Sequence, residues 1–347
     1  MSKRTSYFEQ EIREQPEVLA AVIEDPRIAE VADHLRERPL EVIATLARGS
    51  SDNAVTFFAY LAGRYLGLPV ASLPPSLFSV YRTRIRAEKA LVIAVSQSGE
   101  SSDVIAGVEA LGEAGALSVA ISNGLGSPLA RAATYSLEQH AGLERAVAAS
   151  KTFSSQMMVL ACLAAHWSGE AELTSALQAV PAALEGLLGA PEAIRQAAER
   201  LTHAGSVYLL GRGLSYAPAL ETALKLKETA YLHAQAYSSA EFQHGPIAAL
   251  DTTDPVVLLA CQDGTEASNR VVLDQLHGIA ADVVVAGSSP SLLEAARNAV
   301  ALPQGLHPVT ESFLLVVVGQ LLALYLTHSK GLDPDAPRYL HKVTRTM

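Results

Sequence analysis

Ala90-Leu91-Val92-Ile93-Ala94-Val95 runs straight into Ser96-Gln97-Ser98-Gly99-Glu100-Ser101-Ser102-Asp103, and a helical pattern opens near Val104. Six apolar residues with a β-branched centre read as a buried strand, and the hydroxyl-rich residues behind them cannot prolong it. The serine stretch is therefore a strand-to-helix turn. At such a turn the first N–H groups of the helix lack backbone partners and the helix dipole favours an anion. Gly99 lets the backbone come close to one. Ser96, Ser98, Ser101 and Ser102 add hydroxyl donors, so phosphate is the expected guest. The competing reading is a capping box, in which Ser98 or Ser102 caps the helix and no ligand binds.

Around this turn the pattern is one of alternating strands and helices. Upstream come a strand at 42–47, the turn Arg48-Gly49-Ser50-Ser51-Asp52, a helix over 53–66 and a short strand at Val70-Ala71-Ser72. Downstream come a helix over 103–114, a strand at 117–121, a short helix near Pro128 and a last strand around Tyr135-Ser136-Leu137. This alternation predicts a mostly parallel sheet covered on both faces. A helical stretch over 153–200 follows, and then the pattern restarts. A strand at 207–210, the turn Gly211-Arg212-Gly213-Leu214-Ser215, a helix over 217–229, strands at 256–259 and 283–286, and a helix near Phe313 make a second unit. Arg48-Gly49-Ser50-Ser51 and Arg212-Gly213-Leu214-Ser215 are 164 residues apart, each between strand and helix, which marks an internal duplication of about 150 residues.

The expected architecture is thus α/β, with two tandem three-layer domains. Its parts are a helical N-terminal arm over 1–38, a first domain over 39–170, a helical linker over 171–195, a second domain over 196–330 and a tail or lid over 331–347. The copies differ in chemistry. Where the first has Ser96 to Ser102, the second has Cys261-Gln262-Asp263-Gly264-Thr265-Glu266-Ala267. Asp263 and Glu266 would repel phosphate, so a single anion site is expected, in the first copy.

The 347 residues are 49% hydrophobic but only 5% aromatic, which predicts an aliphatic core. A net charge of -10 leaves no basic stripe for a nucleic acid backbone. Two distant cysteines, Cys162 and Cys261, give no disulfide framework and read as core thiols in a reducing compartment. Residues 1–11 lack an apolar h-region, so a cytoplasmic protein is expected. The run from Phe313 to Leu326 reads as too short for a bilayer, is interrupted by Gln320 and is expected to be a buried helix, with no membrane partner.

Ligands of open parallel sheets bind beyond the carboxyl ends of the strands. Three stretches of the first unit point there: Gly49-Ser50-Ser51, the serine turn, and Glu144-Arg145-Ala146-Val147-Ala148-Ala149-Ser150-Lys151-Thr152. A phosphate ringed by Ser and Thr hydroxyls and backbone amides, with little fixed positive charge, suits an exchangeable phosphosugar, and the missing GxxxxGK[ST] and GxGxxG patterns speak against a nucleotide. In the second unit Glu221, Lys225 and Glu228 fall at i, i+4 and i+7, on one helix face. A solvated salt-bridge ladder would explain them. The apolar neighbours Ala219, Leu220, Ala223 and Leu224 instead predict at least one partly buried carboxylate, a usable proton shuttle. His244, in Glu241-Phe242-Gln243-His244-Gly245-Pro246, and Lys342 near the end are further candidates. No His/Cys cluster has metal-ligand spacing, and neither a metal nor an organic cofactor is expected.

Taken in order, Ser96-Gln97-Ser98-Gly99-Glu100, the stretch from Gly211 to Glu228, Glu241 to Pro246 and Asp335-Ala336-Pro337-Arg338 resemble the sugar isomerase (SIS) superfamily. The likeness is to its two-domain group, which contains the isomerase half of glucosamine-6-phosphate synthase. The resemblance implies flavodoxin-like domains and sugar phosphate held by Ser51, Ser96, Gln97, Ser98 and Ser101, with Val147 and Ala149 along the sugar. It also implies that Glu228 moves a proton between C1 and C2, that Glu221 and Lys225 support it, that His244 opens the ring from the neighbouring subunit of a homodimer, and that Lys342 contacts the open-chain sugar. Ala149 stands where the synthase has serine, and no glutaminase segment with its cysteine nucleophile is seen. Gly49-Ser50-Ser51-Asp52, Ser238-Ser239-Ala240-Glu241-Phe242 and Lys342-Val343-Thr344-Arg345-Thr346 resemble the SIS-type glucosamine-6-phosphate deaminases. That implies a deaminase. An ammonia-dependent synthase-like isomerase, another phosphosugar isomerase and a non-catalytic sugar-phosphate sensor are the alternatives, and the substrate epimer stays open.

Overall fold

Strands β1 (Val42–Leu46), β2 (Val70–Ser72), β3 (Ala90–Val95), β4 (Leu117–Ser122) and β5 (Tyr135–Glu138) form one sheet in the order β2-β1-β3-β4-β5, every neighbouring pair parallel. Strands β6 (Ser206–Gly211), β7 (His233–Ser238), β8 (Val256–Ala260), β9 (Val283–Gly287) and β10 (Asn298–Ala301) form a second in the order β10-β9-β8-β6-β7, again all parallel. Read from the other edge, the second order repeats the first. The duplication expected from the loops is therefore a duplication of topology, of the flavodoxin-like 2-1-3-4-5 kind. The computed structural model of the chain describes residues 5–279 and 281–342. The motif residues Val343 to Thr346 lie outside them.

Two compact units divide the chain. The first-sheet unit takes Glu17–Glu144, Lys151–Gln178 and, of the described residues at the end, His341 and Lys342. In it β3 is buried at all six positions, as a central strand with both faces covered must be. On one face Leu46, Val92 and Ala94 meet Val104, Val108 and Leu111 of the helix Ser102–Glu113. That helix sits so close that a Cβ on Gly107 would come within 2.7 Å of Leu46 Cδ1. The helices Ser50–Leu61 and Lys151–Ser168 also belong to this unit, the second buried along almost its whole length. Cys162 on it is a free buried thiol, which burial pushes up to about 12.

The second-sheet unit takes the described residues up to Pro16, Arg145–Ser150 and the described residues of Ala179–Leu340. Tyr208, Leu210, Val256, Leu258 and Phe242 lead one of its cores. The helix Pro308–Ser329 is longer than the apolar run suggested: its 22 residues and mean hydropathy of 1.9 reach what a membrane span needs, yet that apolar window is entirely buried in the protein. Its one amide is satisfied there, since Gln15 Nε2 donates to Gln320 Oε1 at 2.7 Å and Gln320 Nε2 donates to Ser150 O at 3.2 Å. It crosses the helix Tyr216–Ala230 at Gly319, where a Cβ would lie 1.9 Å from Thr222 Oγ1. The N-terminal helix Tyr7–Arg13 is fixed in this unit by Asp335, whose carboxylate accepts the N–H groups of Tyr7 and Phe8 at 2.7 and 2.9 Å.

Candidate active site

In the 2-1-3-4-5 order the chain leaves β1 toward one edge and β3 toward the other, so the crevice between their carboxyl ends is the expected ligand position. Two helices begin there. Gly49, at φ 55°, precedes Ser50–Leu61, and Ser101 precedes Ser102–Glu113; no side chain caps either helix. The capping reading of the serine turn therefore fails for Ser98 and Ser102: the capping position belongs to Ser101, and its hydroxyl turns to Ser96 Oγ at 3.3 Å. Ser98 Oγ accepts the N–H of Glu100 at 3.2 Å, while Ser96 Oγ accepts that of Gly99 at 3.2 Å. Gly99 is required twice over. Its φ is 65°, and a Cβ would sit 2.3 Å from Ser127 Oγ. Ser51 lies buried in the first turn of its helix. Arg48 braces the two loops, donating from Nη2 to the buried Asp103 carboxylate at 2.8 Å.

A cleft of about 430 Å³ opens beside the turn, lined by Gln97, Ser98, Asn123, Ser127, Glu144 and Lys342 among others. Among the lining residues is Glu144, which the sequence places at the start of the third ligand-facing stretch without giving it a role. Its side chain is fully buried and accepts from Gln97 Nε2 at 2.9 Å, Thr152 Oγ1 at 2.7 Å, Thr152 N at 3.1 Å and Lys342 Nζ at 2.6 Å. Of the expected site residues, Ser51, Ser96, Gln97, Ser98, Ser101 and Lys342 all belong to this first-sheet unit.

The equivalent crevice of the second sheet, between β6 and β8, is filled from within. Asp263 Oδ2 accepts the N–H of Leu214 at 2.9 Å, and its Oδ1 accepts the N–H and hydroxyl of Thr265 at 3.2 and 2.6 Å. A Cβ on Gly213 would come within 2.2 Å of Oδ2. The carboxylate thus occupies the place among the loop donors that an anion would take. The sequence showed Asp263 as repulsive; the structure makes it the loop's own acceptor.

The second-sheet unit also carries Val147, Ala149, Glu221, Lys225, Glu228 and His244. Val147 and Ala149 are half-buried between the buried Ala146, Ala148 and Ser150. Glu221, Lys225 and Glu228 share one face of the helix Tyr216–Ala230 as expected, but not as a solvated ladder. Lys225 is fully buried, with Nζ 3.3 Å from Glu221 and 2.5 Å from Glu228. Burial pulls its amine down, yet the two carboxylates outweigh this and hold it above the ordinary lysine range. Glu221 is buried too, and Glu228 alone of the three reaches solvent, with 21% of its side chain exposed. His244 is exposed on the loop that follows the helix Ser239–Phe242.

Two parallel sheets of repeated order, the second with a carboxylate seated among the loop donors of its crevice, define a duplicated doubly wound α/β protein. The chain belongs to the SIS-domain family, whose model matches residues 41–166 and again 200–327. It is 33% identical over 335 residues to glutamine–fructose-6-phosphate aminotransferase (isomerizing) of Aquifex aeolicus, covering 96% of this chain and 56% of that relative. The chain spans about half the length of the curated relatives it matches. Among solved structures it is similar to the C-terminal domain of glucosamine-fructose-6-phosphate aminotransferase from Francisella tularensis, with 28% identity, a TM-score of 0.87 and coverage of 96% of this chain and 99% of that one. It is also similar to a Silicibacter pomeroyi protein named provisionally as a phosphosugar isomerase, with 36% identity, a TM-score of 0.86 and coverage of 95% and 100%.

Proposed function

We propose that the chain is a glucosamine-6-phosphate deaminase. Ser51, Ser96, Gln97, Ser98 and Ser101 hold the phosphate, supplying binding energy remote from the reacting carbons. His244, given by the neighbouring subunit of a homodimer, assists ring opening. Glu228 takes the proton from C2 and returns it to C1, which turns the amino-aldose into a fructose imine. Water then adds to C2 and expels ammonia, leaving fructose 6-phosphate. Proton transfer beside a carbonyl or imine lies within reach of a carboxylate base.

The Lys225 trio carries this reading. A buried ammonium clamps two carboxylates and leaves only Glu228 open to solvent, an expensive arrangement that a sugar-binding sensor does not need. The names of the relatives, which concern sugar 6-phosphates and amino transfer, support the substrate class, and they favour a second reading in which the same residues join ammonia to fructose 6-phosphate.

Purified protein incubated with glucosamine 6-phosphate, beside Glu228→Gln, tests the proposal. Ammonia and fructose 6-phosphate released in equal amounts by the wild type and not by the variant support it. Turnover only from fructose 6-phosphate plus ammonia supports the second reading. Binding without turnover in either direction refutes both and leaves the sensor.

A further inference from the structure

We propose that Glu144 is the positioning residue for Lys342, and that it couples the placement of this lysine to ligand binding at the serine turn through Gln97. The inference rests on the reading of that turn as the phosphate site and of Lys342 as a group that meets the sugar.

A carboxylate with no exposed surface costs several kcal/mol unless it is matched by donors and charge. Glu144 is matched from three separate parts of the fold. The N–H and hydroxyl of Thr152, in the first turn of the helix Lys151–Ser168, fix both of its oxygens from one side. From the other side come the amide of Gln97, within the serine turn, and the ammonium of Lys342, 198 residues further along the chain. The carboxylate is therefore the point where the tail is fastened to the ligand loop.

Oε1 accepts the N–H of Thr152, while Oε2 accepts from Thr152 Oγ1, Gln97 Nε2 and Lys342 Nζ together. A carboxylate oxygen offers two lone-pair directions, so three donors on one oxygen compete. When the amide of Gln97 turns to a bound phosphate, the competition at Oε2 eases, and the charge-assisted bond to Lys342 tightens. Ligand binding at the turn then orders the lysine that the reaction uses, without any contact between that lysine and the phosphate. Thr152 holds Glu144 in place during the exchange.

Competitive acetylation read by peptide mass spectrometry measures how firmly Lys342 is held. Lys342, with 26% of its side chain exposed, is compared with Lys89, which is 59% exposed. In Glu144→Gln the Lys342 rate should rise about fivefold, the equivalent of ~1 kcal/mol for a partly exposed ion pair. Fructose 6-phosphate should slow Lys342 in the wild type and not in Gln97→Ala. An unchanged Lys342 rate in a Glu144→Gln protein that melts cooperatively overturns the positioning role, and Glu144→Asp serves the same comparison where the glutamine variant does not fold. Equal slowing by fructose 6-phosphate in the wild type and Gln97→Ala overturns the coupling. In steady-state kinetics Glu144→Gln should lower kcat and cause no further loss in a Lys342→Met background; additive losses overturn action through Lys342. If the wild type turns over no phosphosugar, the proposed function fails, while the acetylation comparison still decides the role of Glu144.

Discussion

Replacing Lys225 by methionine tests the assignment of the helix Tyr216–Ala230 as the chemical centre of its unit. Methionine matches the aliphatic stem and removes the ammonium, so packing changes little and charge changes fully. Glu221, with 1% of its side chain exposed, is left as a buried carboxylate 3.3 Å from where its partner stood. Breaking a buried pair from one side costs about 3–5 kcal/mol, a large part of the ~5–15 kcal/mol that holds a domain folded. Glu228 reaches water and should contribute little of this loss. Urea unfolding at pH 7 measures it. In the variant, Glu221 gains a raised folded-state pKa, so the folded state keeps a proton that the unfolded chain has lost. Stability must then fall as pH rises from about 4.3 toward that raised value, the reverse of ordinary acid denaturation. Adding Glu221→Gln to Lys225→Met should restore most of the stability and abolish this pH dependence. A loss below about 1 kcal/mol, the level of an exposed pair, or a double variant no more stable than the single one, refutes the view that Lys225 clamps a buried carboxylate.

Asp25 caps the helix Pro26–Arg36; burial pushes its carboxyl up, but hydrogen bonds from Arg27 and His140 hold it at about 2. Its stabilisation is complete above the unfolded pKa and lost as pH falls through about 2, so Asp25→Asn should cost about 1–2 kcal/mol at pH 7 and flatten the acid limb of the stability curve below pH 4. Gly99→Ala forces a Cβ toward Ser127 at a positive φ, and should lower stability by about 1–3 kcal/mol and abolish sugar-phosphate binding in calorimetry. Asp263→Ala leaves Leu214 N–H and Thr265 without their acceptor and should cost about 1–3 kcal/mol, with millimolar phosphate raising the melting temperature of the variant more than that of the wild type. An equal rise in both proteins would sink the idea that this carboxylate stands in for an anion.

The interior strands were legible because both faces of a central parallel strand are buried, which leaves an unbroken apolar run such as Ala90 to Val95 or Val256 to Ala260. Strands β7 and β10 were not. His233-Ala-Gln-Ala-Tyr-Ser238 lies at a sheet edge, is mostly half-buried or exposed, and has no β-branched residue; Asn298 to Ala301 is four residues long. The repeat itself carried the missing signal, since Val70 of β2, moved by the loop offset of 164, falls at Ala234 inside β7. The serine turn was legible because its chemistry is local. Glu144 and Lys342 were not a pair on paper, for nothing in the chain joins positions 198 residues apart until the fold does.

The two copies show what divergence did with one geometry. Each places a buried glutamate where the loop after its third strand can reach it. In the first copy Glu144 takes the side-chain amide of Gln97; in the second, Glu311 takes the backbone N–H of Gln262 at 2.7 Å and the hydroxyl of Ser288. The first glutamate is answered by an ammonium from the tail, whereas among the described residues no cation pairs with Glu311, and burial pushes its carboxyl up. The adjoining crevices differ in the same sense: serine hydroxyls and two helix N-termini in the first copy, the internal acceptor Asp263 in the second. A charged ligand gains from hydroxyl and helix N-terminal donors with a cation in the same unit and gains little where a carboxylate already takes the loop N–H groups. On the proposed function the phosphate belongs to the crevice between β1 and β3, while the second-sheet unit, its own crevice filled by Asp263, carries the Lys225 trio on the helix Tyr216–Ala230.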